Sequence, residues 1–338
     1  MKKNKVTIHD IAKELGIDSS TVSRALNDSN RVTKKTKERI LKKAKELGYQ
    51  PNLLAANFRK SVTNTIGVIV PRISRHFFSS VIQGIEEAAY LAGFNVIICQ
   101  SLEQFEREKA ILSNLVANRV DGILISISME TKDFTHFEDA KKTGTPLVFF
   151  DRNFSPTENN VLIDDFRAGF DATKHLIDIG CKNIVHFSGP QNLEIYKNRF
   201  KGYKSALAKN NLPFKKELVI ISSLMEKDGE DLIKTLYEKS IIFDGIFSAN
   251  DVVAIGAIKF LTTKGVKIPE QVAIVGFSNE PISRVIDPAL TTINQPGLEM
   301  GKIATELLID TIKDKNKLIA PKTIILESNL IKRTSTFS

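Results

Sequence analysis

The residue types that carry out enzymatic chemistry are present, but not at the spacings enzymes use. The five histidines (His9, His76, His136, His175 and His186) form no H-E-x-x-H turn and stand beside no cysteine pair, so they offer no set of zinc ligands. G-x-x-x-x-G-K-[ST], G-x-G-x-x-G and G-x-S-x-G are all missing. No catalytic residue, metal or cofactor is expected. Cys99 and Cys181 are too few for a disulfide framework and are expected to be reduced, buried thiols. One short run does have a useful spacing. In S-S-T-V-S-R-A-L (Ser19–Leu26) a helix would turn Val22 and Leu26 inward and Ser19, Ser20, Ser23 and Arg24 outward. Short hydroxyls permit close approach to a base edge, and an arginine fork fits the paired acceptors of guanine.

Those four side chains need a scaffold, and residues 1–60 read as one. Thr7 can cap a first helix whose Ile8, Ile11, Ala12 and Leu15 share a face, and Gly16 can end it. Ile17 can plug the turn, and Asp18 can cap the second helix. Thr33 can cap a third, Lys34–Leu47, ended by Gly48. Its Ile40, Leu41, Ala44 and Leu47 fall on one side, with six lysines largely elsewhere. Helix, glycine turn and short second helix make a helix-turn-helix. On pattern alone, a helical bundle with a lysine-rich solvated face stays open.

Charge favours the first of these. The chain has 48 Lys+Arg against 39 Asp+Glu, net +9. Residues 1–60 hold 15 basic and 6 acidic side chains, also net +9, so the rest, with 33 of each, is neutral. A polyanion-binding head on a neutral body has this distribution. The 42% hydrophobic content allows a sizeable core, and no apolar run approaches the ~18 residues of a membrane span. M-K-K-N-K leads into V-T-I-H-D, not into the apolar stretch of a signal peptide.

From Thr65 onward, β-branched runs such as T-I-G-V-I-V (Thr65–Val70) alternate with amphipathic helical stretches as far as Val272–Val275. This predicts an α/β body with doubly wound parallel sheets. About nine βα units exceed one open sheet, so two lobes are expected, with ligand-binding loops at the C-terminal strand ends facing a cleft. Ser61–Asn64 reads as a linker.

The runs T-V-S-R-A-L-N (Thr21–Asn27) and L-G-Y-Q-P-N (Leu47–Asn52) resemble the head of the lactose-repressor (LacI/GalR) family of bacterial transcription regulators. The resemblance continues through V-D-G-I-L at 120–124, P-L-V-F-F-D-R at 146–152, S-A-N-D at 248–251, V-G-F at 275–277 and L-T-T-I-N-Q-P at 290–296. It implies a body similar to periplasmic sugar-binding proteins, with three crossovers near Ile163–Asp165, Pro288–Asn294 and Glu327–Asn329. The implied parts are a head at 1–60 with a hinge helix at 52–59, and an effector-binding and dimerisation domain at 61–338. Lobe 1 would take 61–163 and 294–326, and lobe 2 would take 164–293 and 327–338.

The implied DNA contacts are Thr7, Ser19, Ser20, Thr21, Ser23, Arg24, Asn27, Thr33, Thr36, Asn52, Ala55 and Phe58. Phe58 stands where a minor-groove leucine wedge is usual. The implied effector contacts are Phe77, Phe78, Asp151, Arg199, Leu224, Asn250, Ser278 and Asn279. Leu224 stands where sugar-sensing members carry an aromatic, and Ser278 where many have an acid. The implied partners are a near-palindromic double-stranded DNA operator, a small polar effector such as a sugar, and a second copy of the chain. Repression in the cytoplasm, on nucleoid DNA and not at a membrane, is the expected activity. An exported sugar-binding protein would share the body but not the basic head. A sugar-modifying enzyme would need a catalytic motif that is missing.

Overall fold

The computed structural model describes residues 6–49, 63–225, 227–313 and 320–337. The expected hinge helix, with Asn52, Ala55 and Phe58, lies outside the described residues. Contacts divide the chain into one unit within residues 1–63 and another within 64–338.

The first unit holds α1 (Ile8–Leu15), α2 (Ser19–Leu26) and α3 (Lys34–Glu46). Thr7 and Asp10 form a reciprocal capping box on α1, and Gly16 ends it at φ 66°, where a side chain would be strained. Ile11, Ala12, Val22, Ala25, Ile40 and Ala44 make the core, with Leu15, Ile17, Leu26 and Leu47 packed around it. Leu41 departs from expectation. It is 48% exposed, because Ile40 and Ala44 fill the narrow seam and the next residue rotates about 100° onto the flank.

The second unit contains two six-stranded sheets. Its elements are β1 (Thr65–Val70), α4 (His76–Leu91), β2 (Asn95–Gln100), α5 (Phe105–Ala117), β3 (Gly122–Ile125), α6 (Thr135–Lys142), β4 (Leu147–Phe150) and β5 (Asn160–Ile163). They continue with α7 (Asp165–Asp178), β6 (Ile184–Ser188), α8 (Glu194–Lys209), β7 (Val219–Ile221), α9 (Asp228–Glu238), β8 (Gly245–Ser248), α10 (Asp251–Thr263) and β9 (Ala273–Ser278). Last come β10 (Thr291–Asn294), α11 (Gly297–Lys313), β11 (Thr323–Leu326) and β12 (Asn329–Ile331). The sheet orders are β11-β5-β4-β3-β1-β2 and β12-β10-β9-β8-β6-β7.

The chain passes between sheets after β5, after β10 and after β11, so the second crossing follows Asn294. β12 is antiparallel to β10, an exception to the parallel expectation. It runs straight on from β11 through two residues, so it enters the second sheet as β10 leaves it. Four helix pairs cover the faces: α4 with α11, α5 with α6, α7 with α8, and α9 with α10. Cys181 is buried and Cys99 only partly so.

Three helix pairs cross at glycines, α9 and α10 among them through Gly229 and Gly256. A Cβ on Gly84 would lie 2.0 Å from the Leu298 oxygen, and one on Gly169 would lie 2.4 Å from the Arg199 oxygen and 2.8 Å from its Cα. The α7–α8 contact therefore fixes the height of Arg199 over the sheet. Gly169→Ala should force these helices apart and lower stability by about 1–3 kcal/mol, the usual cost of overpacking. Urea unfolding checks this, and an unchanged midpoint would mean that the crossing is slack.

Candidate functional site

In the first unit, α2 is held from beneath by Val22 and Ala25, both buried. Asp18 caps it by accepting from the Ser20 N–H at 2.7 Å, and hydrogen bonds from the Ser20 hydroxyl and N–H hold its carboxyl below the usual range. Ser20, Arg24 and Asn27 are exposed, while Ser19, Thr21 and Ser23 are half-buried. Asn27 donates to the Ser23 carbonyl at 2.7 Å, finishing the helix. Thr7 donates its hydroxyl to Asp10, and the Thr33 and Thr36 hydroxyls pair at 2.9 Å where α3 begins. Thr7, Asn27 and Thr33 thus have structural duties. Arg24 remains free for a partner, Ser20 is exposed although its hydroxyl bonds Asp18, and the N-terminus of α3, beside Lys34 and Lys35, suits a phosphate.

In the second unit, the C-terminal strand ends enclose a cavity of about 620 Å³, open solvent included. Phe77, Phe78, Asp151, Arg199, Leu224, Asn250 and Ser278 line it. Asn279 does not. Its amide donates to Asn294 and accepts from Arg333, and its N–H donates to Thr292, so its polar groups serve the sheet edge. Three lining residues at a strand's last position or within three residues after one have positive φ: Ser278 (φ 111°), Asp151 (φ 60°) and Leu224 (φ 54°). Each non-glycine residue held so costs about 1–3 kcal/mol, a cost that functional sites commonly carry.

Arg199 is almost fully buried. Its Nε donates to Asp165 at 2.7 Å, its Nη1 donates to the Ala249 carbonyl at 2.9 Å, and its guanidinium lies 3.5 Å from the Phe277 ring centroid. Burial pushes the Asp165 carboxyl up to about 7, against the pull of Arg199. Arg152 Nη1 donates to Glu103 at 2.9 Å, and its Nε lies 3.7 Å from Asp151. Burial opposes the Glu103 charge, but Arg152 outweighs it and holds the carboxyl below its ordinary value. Burial raises Asp151, with Arg152 and Arg199 pulling the other way. Gln295 donates to Asp151 at 3.3 Å and accepts from Ser278 at 3.0 Å, linking the two lobes where the chain crosses between them. Asn250 caps α10 and donates to the Leu224 carbonyl, fixing that loop.

Arg72, Arg75, Glu103, Arg152, Tyr196 and Gln295 also line the cavity, and sequence reasoning missed them. Position was the available signal: Arg72 and Arg75 follow β1, Arg152 follows Asp151, and Gln295 marks a crossover. Among the described residues, no cluster of histidine, cysteine, aspartate or glutamate could hold a metal ion.

Residues 7–52 match the family model described as "Bacterial regulatory proteins, lacI family". Residues 63–334 match "Periplasmic binding proteins and sugar binding domain of LacI family". The chain is 33% identical over 313 residues to the HTH-type transcriptional repressor PurR of Haemophilus influenzae (strain PittEE), covering 92% of each chain. It is similar to the solved complex of the transcriptional regulator CelR with cellobiose, at 27% identity and TM-score 0.75 over 98% of this chain and 100% of that one. A lac repressor dimer bound to operator and an anti-inducer has the same fold, with TM-score 0.87 at 23% identity over 99% of this chain and 100% of that one.

Removing Arg199 would strand a buried carboxyl. Arg199→Ala should cost about 3–5 kcal/mol in urea unfolding, and the Arg199→Leu/Asp165→Asn double variant should recover most of it. A cost for Arg199→Ala below about 1 kcal/mol would deny the pair this organising role.

Proposed function

The chain belongs to the lacI family of bacterial regulatory proteins, and on that premise we propose that it is a sequence-specific DNA-binding repressor controlled by a small polar metabolite, such as a carbohydrate, held in the cleft between its lobes. The observation that carries the DNA reading is α2, whose exposed Ser20 and Arg24 stand on a helix pinned by Val22 and Ala25. In this reading Ser19, Ser20, Thr21, Ser23, Arg24 and Asn27 face bases or backbone, and Thr7, Thr33 and Thr36 meet phosphates. Residues 1–60 form the head and Asn52–Arg59 the hinge, with Asn52, Ala55 and Phe58 as DNA contacts and Phe58 the minor-groove wedge.

One short helix reads only a few base pairs, so the protein works as a dimer on a near-palindrome. Exposed apolar side chains support a dimer: Tyr90, Leu91, Ile97 and Ile98 on α4 and edge strand β2, and Ile282 and Val285 on the second lobe. No helix among the described residues is long and apolar enough to cross a membrane. Its place of action is the cytoplasm, on nucleoid DNA.

Selecting DNA fragments with the pure protein and titrating the chosen site tests the reading. Affinity should fall steeply with salt. Arg24→Ala should cost about 1–3 kcal/mol at the selected site and much less on random DNA, if Arg24 reads a base. An equal loss on both would make it a phosphate contact.

The effector acts by differential affinity for lobe angles, since a ligand indifferent to the angle shifts nothing. Residues 52–59 join the head to the lobe that starts with β1, and an isolated helix of that length is unstable in water. Cleft ligand and operator should therefore change each other's affinity by about 1–3 kcal/mol, in equal measure. DNA titrations with and without ligand, and ligand titrations with and without DNA, check the equality. A cleft ligand that leaves operator affinity unchanged refutes this coupling.

A further inference from the structure

We propose, building on the cleft as the effector site, that the effector is anionic: a hydroxylated small molecule whose carboxylate or phosphate sits against Arg72, Arg75 and the N-terminus of α4. Three arginines reach the cavity from the first lobe, Arg72, Arg75 and Arg152, with two carboxylates from that lobe, Glu103 and Asp151, while Arg199 and Glu280 line it from the second lobe. Glu103 Oε2 is engaged by Arg152 at 2.9 Å and by the Met129 N–H at 2.8 Å. Asp151 lies beside Arg152 and accepts from Gln295. Arg72 feels the charge of Glu103 but makes no hydrogen bond to it, and its Nε is buried without a partner. Arg75 donates only to neutral acceptors, the Leu224 carbonyl at 3.3 Å and the Met225 sulfur at 3.9 Å. Arg152, 6% exposed, likewise has a buried Nε without a hydrogen bond.

Helix α4 starts at His76, directly after Arg75, and its first-turn Phe77 and Phe78 line the same cavity. It is sixteen residues long and has no side-chain cap, so its first-turn N–H groups and its positive dipole end add to the same spot. A neutral sugar would leave the arginine donors unmatched, whereas a carboxylate or phosphate fits the guanidinium fork in two directions. The opposite wall sets the polarity of binding. Glu280 and Ser278 lie there. A carboxylate repels an anion and accepts from hydroxyls, so the charged end turns to α4 and the hydroxylated end to Glu280.

The test measures thermal melting of the full-length protein in phosphate-free buffer with paired ligands at about 10 mM, enough to reveal millimolar binders. The carboxylates are D-galacturonate and D-gluconate, and the phosphates are D-glucose-6-phosphate and D-ribose-5-phosphate. Each is set against its neutral parent sugar, and inorganic phosphate is the minimal probe. At least one anion should raise the melting temperature where its parent does not, and the class that does so identifies the charged group. The Arg72→Ala/Arg75→Ala variant should then bind that anion about tenfold to a hundredfold more weakly, the worth of hydrogen bonds to a charged group.

No anion binding, or anion binding that the double variant leaves unchanged, overturns the proposal. So does a neutral sugar that binds better than every anion and is insensitive to the double variant, though the cleft would then still be an effector site. The broader reading fails separately, if a ligand binds in the cleft and operator affinity does not move.

Discussion

Burying one guanidinium organises the second lobe. Arg199 joins α8 to α7 through Asp165, to the end of β8 through the Ala249 carbonyl, and to β9 through the face of Phe277. A charge removed from water costs several kcal/mol unless its donors are met, and here each contact comes from a different element. Gly169 makes the arrangement possible, because only an absent Cβ lets α7 approach the Arg199 backbone so closely. The price of burial also explains why the side chain remains polar at all: Arg199 lines the cavity, where a well-packed leucine could not recognise a polar ligand.

The first lobe is built by the same device with a different result. Gly84 and Gly301 let α4 and α11 interlock, with a Cβ on Gly301 falling 2.1 Å from the Val81 oxygen. That contact aims the start of α4 into the cleft. Around the cavity, the lobes meet through sparse hydrogen bonds: Arg75 to the Leu224 carbonyl, Gln295 to Asp151, and Asn192 to the Met129 carbonyl at 2.8 Å. Each is worth about 1 kcal/mol net. A ligand contributing a few kcal/mol of differential contact is therefore on the right scale to choose between lobe angles. Stiff lobes with a lightly bonded seam are what such a switch requires.

Local signals in the sequence survived into the structure because they act within a few residues. Thr7, Asp18 and Thr33 cap the helices they were expected to cap, and Gly16 ends α1. The alternation from Thr65 gave two sheets. Strands β5 and β10 fall outside the strand–helix alternation, because no α-helix separates them from β4 and β9. Helix α11 carries Met300, Ala304, Leu307 and Leu308 on one face, and its pattern was available but unread. The polar side of the cleft was harder. Arg72, Arg152 and Arg199 are separated by 47 residues or more and converge only once two sheets have formed with their strand ends facing. Asn279 shows the opposite failure. It neighbours Ser278 in sequence, but one residue is enough to turn a side chain from the cavity to the sheet edge.

Charge is partitioned on two scales, and salt acts differently on each. The head carries the whole net surplus on its lysines and arginines, where a phosphate backbone would release counterions and affinity would fall with ionic strength. The body is neutral overall, yet four of its nine arginines, Arg72, Arg75, Arg152 and Arg199, line one cavity. Interactions between partly buried groups are screened far less than those across open solvent. Ionic strength can therefore weaken DNA binding steeply while changing recognition in the cleft little. A net-neutral count over residues 61–338 conceals this, because the sum of charges says nothing about where the topology brings them together.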